Sequence, residues 1–205
     1  MPRAKRKKPA GRRRATTPKP KKATRSAKAR RPTPPRTKAV KSKGEAATKT
    51  GAGVHEGSRA PTFSLPDQAG RVVSSSALAG KSYVLYFYPK DDTSGCTREA
   101  CGFRDSLRGF GSKGVKIIGV SPDSEASHAR FAGKYGLPFT LLADTDKALA
   151  RAYGVWVKKQ NYGREYMGIL RSTFLVDKRG IVKKAWRGVR VDGHVDAVLA
   201  AAGEP

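Results

Sequence analysis

Cys96 and Cys101 are the only thiols of the chain, five positions apart, and both follow the run Pro89-Lys90-Asp91-Asp92-Thr93-Ser94-Gly95. The apolar, aromatic-rich stretch from Tyr83 to Tyr88 has the composition of a buried strand, which Pro89 ends. A polar turn follows, and the segment from Cys96 to Phe110 is drawn as a helix, with Cys96 in or beside its first turn. The amides and macrodipole of a helix N-terminus favour an anion, so a sulfur placed there is set up as a nucleophilic thiolate. The hydroxyl of Thr93, three residues upstream, is placed to hydrogen-bond the sulfur or an oxygen bound to it.

The spacing of the two thiols carries further information. Five residues of ideal helix give about 7.5 Å of rise and a Cα separation of about 8.6 Å, whereas bridged cysteines usually stand within about 7 Å. A disulfide between them therefore requires the helix to unwind, which suits a redox switch better than a structural staple. No Cys-x-x-Cys is present, and two cysteines without a supporting histidine cluster disfavour zinc. His55, His128 and His194 show no partner pattern and are assigned no chemistry. By residue type alone the pair remains catalytic, redox-sensing or incidental, with Cys101 merely packed in the core.

The elements that must position this stretch occupy only part of the 205 residues. Residues 1–50 hold 20 Lys and Arg against the single acid Glu45, out of a formal net charge of +27, and no Leu, Ile, Phe, Tyr or Trp occurs before Phe63. Such composition cannot bury enough apolar surface to offset the entropy of ordering. Residues 1–56 are expected to be a disordered basic tail and residues 57–205 a folded domain. Basic clusters broken by prolines suit sequence-independent DNA binding by release of counterions; a receptor-read address and a solubilising extension are the alternatives. No apolar run approaches the roughly 20 residues of a membrane span, and the start of the chain lacks the apolar core of a secretory signal. An intracellular location, in cytoplasm, nucleoid or nucleus, is expected.

Within the domain, Ala60 to Pro66 reads as a short edge strand and Val72-Val73 as its partner. Val115 to Val120 is a second central strand, Ser124 to Tyr135 a helix capped by Asp123 and ended at Gly136, and Phe139 to Leu142 a strand. Asp146 to Tyr153 is a short helix, and Val155 to Arg171 a long loop with an extended stretch. Thr173 to Val176 and Ile181 to Trp186 form a hairpin about Asp177-Lys178-Arg179-Gly180, and Asp192 to Ala202 is a closing helix. This order gives an α/β fold around a central mixed sheet.

Pro89-x-x-x-Thr93-x-x-Cys96 resembles the active-site signature of peroxiredoxins. The run from Tyr86 to Cys101 is similar to the peroxiredoxin Q, or bacterioferritin comigratory protein, subgroup. The similarity extends upstream through Ala60 to Gln68, and downstream through Phe139 to Asp144, Tyr153 to Trp156 and Arg171 to Asp177, covering about residues 57–202. Ser94 departs from the subgroup, which commonly has proline there.

The resemblance implies a thioredoxin-like fold and a thiol peroxidase with no metal or organic cofactor. Cys96 would be the peroxidatic thiolate, Thr93 and Arg171 would orient the peroxide, Pro89 would shield the pocket, and Glu99 would hold the arginine. Cys101 matches the resolving cysteine, so a Cys96 to Cys101 disulfide reduced by thioredoxin or a similar thiol donor is implied, in a monomer. Two functions from different classes follow. One is a peroxidase tethered to DNA by its tail; the other is a chromatin or nucleoid protein whose redox domain senses peroxide.

Overall fold

The computed structural model describes residues 53–161 and 163–203. Most of the expected basic tail, residues 1–52, lies outside these. Two short strands, β1 (Ser64–Pro66) and β2 (Val72–Ser74), pair antiparallel, and a 3-10 turn at Ser75–Leu78 leads into β3 (Ser82–Phe87). Then come α1 (Ser94–Asp105), α2 (Leu107–Ser112), β4 (Val115–Ser121), α3 (Glu125–Tyr135), β5 (Thr140–Ala143) and α4 (Ala148–Ala152). The chain continues through β6 (Trp156–Asn161), β7 (Arg164–Ile169), β8 (Ser172–Val176) and β9 (Val182–Arg187) to α5 (His194–Ala201).

The central sheet has the order β5-β4-β3-β8-β9, parallel from β5 to β3 and antiparallel from β3 to β9. It is the mixed sheet of a thioredoxin-like fold. Alternation along β3 divides the core between the two faces of the sheet. Leu85 and Phe87 pack with Leu149, Tyr153 and Phe174 on one side. Val84, Tyr86 and Tyr88 pack on the other with Cys96, Ala100 and Phe103 of α1, Phe110, Phe131 and Val198. The side chains of β3 from Tyr83 onward are all buried, as its composition predicts.

Three expectations are corrected. The single helix from Cys96 to Phe110 is two helices, parted at Ser106, whose φ of −90° and ψ of 0° interrupt the regular turn. The break suits packing: a Cβ on Gly109 would stand 3.1 Å from Leu199, so α2 comes close to α5 only through a glycine. The cap of α3 is Ser124, whose side chain accepts from Ser127 N, not Asp123. Asp123 Oδ2 instead accepts from Ser121 Oγ and from Asp91 N, each at 2.8 Å. The expected long loop from Val155 to Arg171 contains the β6–β7 hairpin, paired from Trp156↔Ile169 to Asn161↔Arg164. Val54, ahead of Gly57, is buried in the core, and Arg187 Nη2 donates to its carbonyl at 2.6 Å. Among the described residues no helix is long and apolar enough to cross a membrane.

Candidate active site

The meeting of Arg171 with Cys96 follows from sheet topology. β3 and β8 run antiparallel with Phe87 opposite Ser172, so the start of β8 lies beside the end of β3. β3 therefore delivers Tyr88 and Pro89, and the loop to α1, to the same end of the sheet at which Arg171 enters β8. Main-chain bonds fix the approach: Val189 N donates to Arg171 O at 3.0 Å and Leu170 N to Val155 O at 2.8 Å.

Thr93 is the N-cap residue of α1, with extended backbone, and Thr97 N donates to its carbonyl at 2.8 Å. Ser94, Gly95 and Cys96 form the first turn, which holds no acidic residue. Cys96 is 1% exposed, and its sulfur accepts from Arg171 Nη2 at 3.2 Å. The other arm of the guanidinium, Nη1, donates to Glu99 Oε2. Glu99 is one turn beyond Cys96 and fully buried. A Cβ on Gly95 would come within 3.3 Å of Arg171 Nη2, so the small residue in this turn leaves the cation its approach.

Two opposing influences act on the Glu99 carboxyl. Removal from water pushes it up, to about 7, and the nearby guanidinium pulls it back only in part. For Arg171, burial works against the charge, but Glu99 and the Cys96 sulfur outweigh it and hold the guanidinium above its usual range. The sulfur thus faces a permanent cation and the first-turn amides of a helix, an arrangement that supports negative charge on sulfur or on an oxygen bound to it.

Of the residues singled out from sequence, Cys96, Glu99 and Arg171 are joined by hydrogen bonds. Pro89 is half-buried on the loop, and Thr93 is exposed, its Oγ1 donating to Lys90 O at 3.1 Å and not to the sulfur. Cys101 is half-buried, and neither it nor the buried Cys96 is in a disulfide.

Several residues near the site were not anticipated. The β6–β7 hairpin brings in Lys159, whose ammonium is held below its usual range by burial and by the charge of Arg171. His194 is buried, its Nε2 lies 2.8 Å from Thr173 Oγ1, and burial followed by the charge of Arg171 pushes it down to about 4. His128, given no chemistry from sequence, is wholly buried against Asp91. One signal was available: His128 and Phe131 are three positions apart on a helix, so a histidine beside a core phenylalanine had to find polar partners.

The model of the AhpC/TSA family matches residues 57–185. Peroxiredoxin Bcp of Bacillus subtilis is 52% identical over 143 residues, covering 70% of this chain and 91% of that protein. The chain is a peroxiredoxin of the AhpC/TSA family. A putative peroxiredoxin bcp of Coxiella burnetii is 49% identical over 146 residues, 71% of this chain and 97% of the relative. Among solved structures, Xanthomonas campestris peroxiredoxin Q superimposes with a TM-score of 0.66 at 48% identity, covering 68% of this chain and 89% of its own. A second structure, of the Xanthomonas campestris bacterioferritin comigratory protein, is 47% identical with the same TM-score of 0.66 and is described by its alkyl peroxide reduction activity. As a peroxiredoxin, the chain is a thiol peroxidase.

Proposed function

We propose that Cys96 is the peroxidatic residue, acting on hydrogen peroxide and alkyl hydroperoxides. The contact from Arg171 Nη2 to Cys96 Sγ at the first turn of α1 carries this reading. The thiolate attacks the terminal oxygen of the hydroperoxide. A sulfur–oxygen bond forms, the oxygen–oxygen bond breaks, and the departing alkoxide takes a proton and leaves as alcohol, with Cys96 now a sulfenic acid. Arg171 stabilises the charge moving onto the leaving oxygen, Glu99 holds Arg171, Thr93 orients the peroxide, and Pro89 screens the pocket. The Cys101 thiol then attacks the sulfenic sulfur, water leaves, and the disulfide is returned to two thiols by thioredoxin or a similar dithiol.

Peroxide consumption coupled to a thioredoxin system tests these roles. It is expected to vanish in Cys96→Ser and to fall in Cys101→Ser; undiminished turnover in Cys96→Ser would remove the assignment.

We further propose that residues 1–56 tether the enzyme to nucleic acid, in the cytoplasm or nucleoid. The support is the 20 basic residues against one acid within residues 1–50. DNA retardation by the full chain is expected to weaken steeply with salt and to disappear when residues 1–52 are deleted. Equal binding by the shortened chain would overturn the tether. Under the other reading, a DNA-binding peroxide sensor, the sulfenic acid forms but repeated turnover with a dithiol does not follow.

A further inference from the structure

Between Tyr88 and Thr93 the loop over the active site is fastened from below by a buried hydrogen-bond network. Asp91 is 6% exposed, and its main-chain N–H and its carboxylate are met by Asp123, Tyr88 and His128. Its N–H donates to Asp123 Oδ2 at 2.8 Å, its Oδ1 accepts from Tyr88 Oη at 2.8 Å, and its Oδ2 lies 2.9 Å from His128 Nδ1. The second ring nitrogen of His128, Nε2, lies 3.1 Å from Leu142 O on β5.

A carbonyl oxygen only accepts, so Nε2 carries a hydrogen. The Asp91 carboxyl, despite burial, is held below the usual carboxylate range, chiefly by its bond to His128. Both ring nitrogens are thereby engaged by buried oxygens, one on the loop and one on β5. Asp92, next in the chain, has a φ of +57°, a left-handed conformation costly to a residue with a side chain. Its carboxylate accepts from Lys134 Nζ at 2.8 Å and Tyr135 Oη at 2.5 Å, both at the end of α3. The loop is thereby pinned to α3 at two successive residues, one buried and one exposed.

A buried polar contact adds little stability over an apolar packing of the same volume. What it supplies here is a single depth and orientation for the loop. We propose that Asp91 and His128 are positioning residues of the peroxidase: their buried hydrogen-bonded contact, tightened by Tyr88, fixes where Pro89 and Thr93 stand above Cys96. Among the described residues no hydrogen bond joins either of them to Cys96, so they act through the loop. The proposal rests on Cys96 being the peroxidatic sulfur.

The experiment uses the full chain carrying Cys101→Ser, in which Cys96 is the only thiol. Two second-order rates are compared: sulfenic acid formation with hydrogen peroxide, which needs an oriented oxygen, and alkylation by iodoacetamide, which needs only a reactive sulfur. In His128→Leu and in Asp91→Asn the peroxide rate is expected to fall about tenfold or more while alkylation changes less than about twofold, because a displacement near 1 Å is costly only to an aligned reaction. Tyr88→Phe, which keeps the ring and removes only the hydroxyl, is expected to give a smaller loss of the same kind, and it decides the matter if His128→Leu does not fold. Val182→Ala, in the core on the other face of the sheet, lowers stability and is expected to change neither rate.

Equal falls in both rates, or an unchanged peroxide rate, would overturn the positioning role. Failure of the underlying assignment is distinguishable, because it would appear as peroxide consumption that survives Cys96→Ser.

Discussion

Arg171 Nη2 donates to Cys96 Sγ at 3.2 Å across a separation of 75 residues, and the same guanidinium donates through Nη1 to Glu99. One planar cation thus spans the sulfur and a buried carboxyl in a fixed fork. Lysine offers a single point of charge and cannot reproduce that geometry. Arg171→Lys is therefore expected to lower kcat/KM for peroxide by about 10²-fold, as for loss of one preorganised donor. Stopped-flow kinetics reads this, and a loss under threefold would detach Arg171 from the chemistry.

The turn bearing Cys96 has little room beside the cation. A methyl group on Gly95 would stand 3.3 Å from Arg171 Nη2, so the guanidinium must give by a few tenths of an ångström. Gly95→Ala is expected to retain the fold and its thermal midpoint, since the helix gains a better helix former, while the peroxide rate falls several-fold. Unchanged kinetics with a changed midpoint would invert this account.

The sign of the Glu99 contribution to stability is set by burial. Its carboxyl titrates near its ordinary 4.5 in the unfolded chain and at about 7 in the native state. Between those values the unfolded chain has released a proton that the native protein keeps, so stability falls as pH rises through this window and levels off above it. Glu99→Gln is expected to flatten that slope in urea unfolding measured from pH 4.5 to 7.5. An identical slope in wild type and variant would show that Glu99 does not hold the proton.

Both cysteines lie on α1, and a disulfide between them demands that the helix open, because ideal helical spacing leaves their Cα atoms about 8.6 Å apart. The oxidised protein is expected to lose amide-exchange protection from Cys96 to Asp105. Protection at Phe110 is expected to persist, because the interruption at Ser106 makes α2 a separate unit. Equal protection of α1 in both redox states would contradict the Cys96–Cys101 pairing.

Much of the fold was legible because its central strands are continuous apolar runs between glycines and prolines. β3, β4 and β8 carry almost nothing that would suit solvent. The β6–β7 hairpin was not legible: Lys158, Lys159, Gln160, Arg164 and Glu165 give no apolar alternation, and its pairing is local and largely exposed. At the site, the positions around Cys96 were readable from type and spacing. The Asp91–His128 pair was not, since a charge followed by another charge in a turn looks solvated until α3 is seen beneath it. The division of α1 from α2 at Ser106 was not legible either, since neither a proline nor a glycine marks that residue.

The register of β3 against β8 has a consequence for descent. Arg171 reaches the sulfur because Ser172 lies opposite Phe87. A slip of one residue would carry the guanidinium about 3.4 Å along the strand and turn it to the opposite side of the sheet. The hydrogen-bond ladder is therefore the ruler that sets the distance from Arg171 to Cys96. Insertions and deletions are tolerable in the hairpin before β8 only so long as they leave that ruler unshifted.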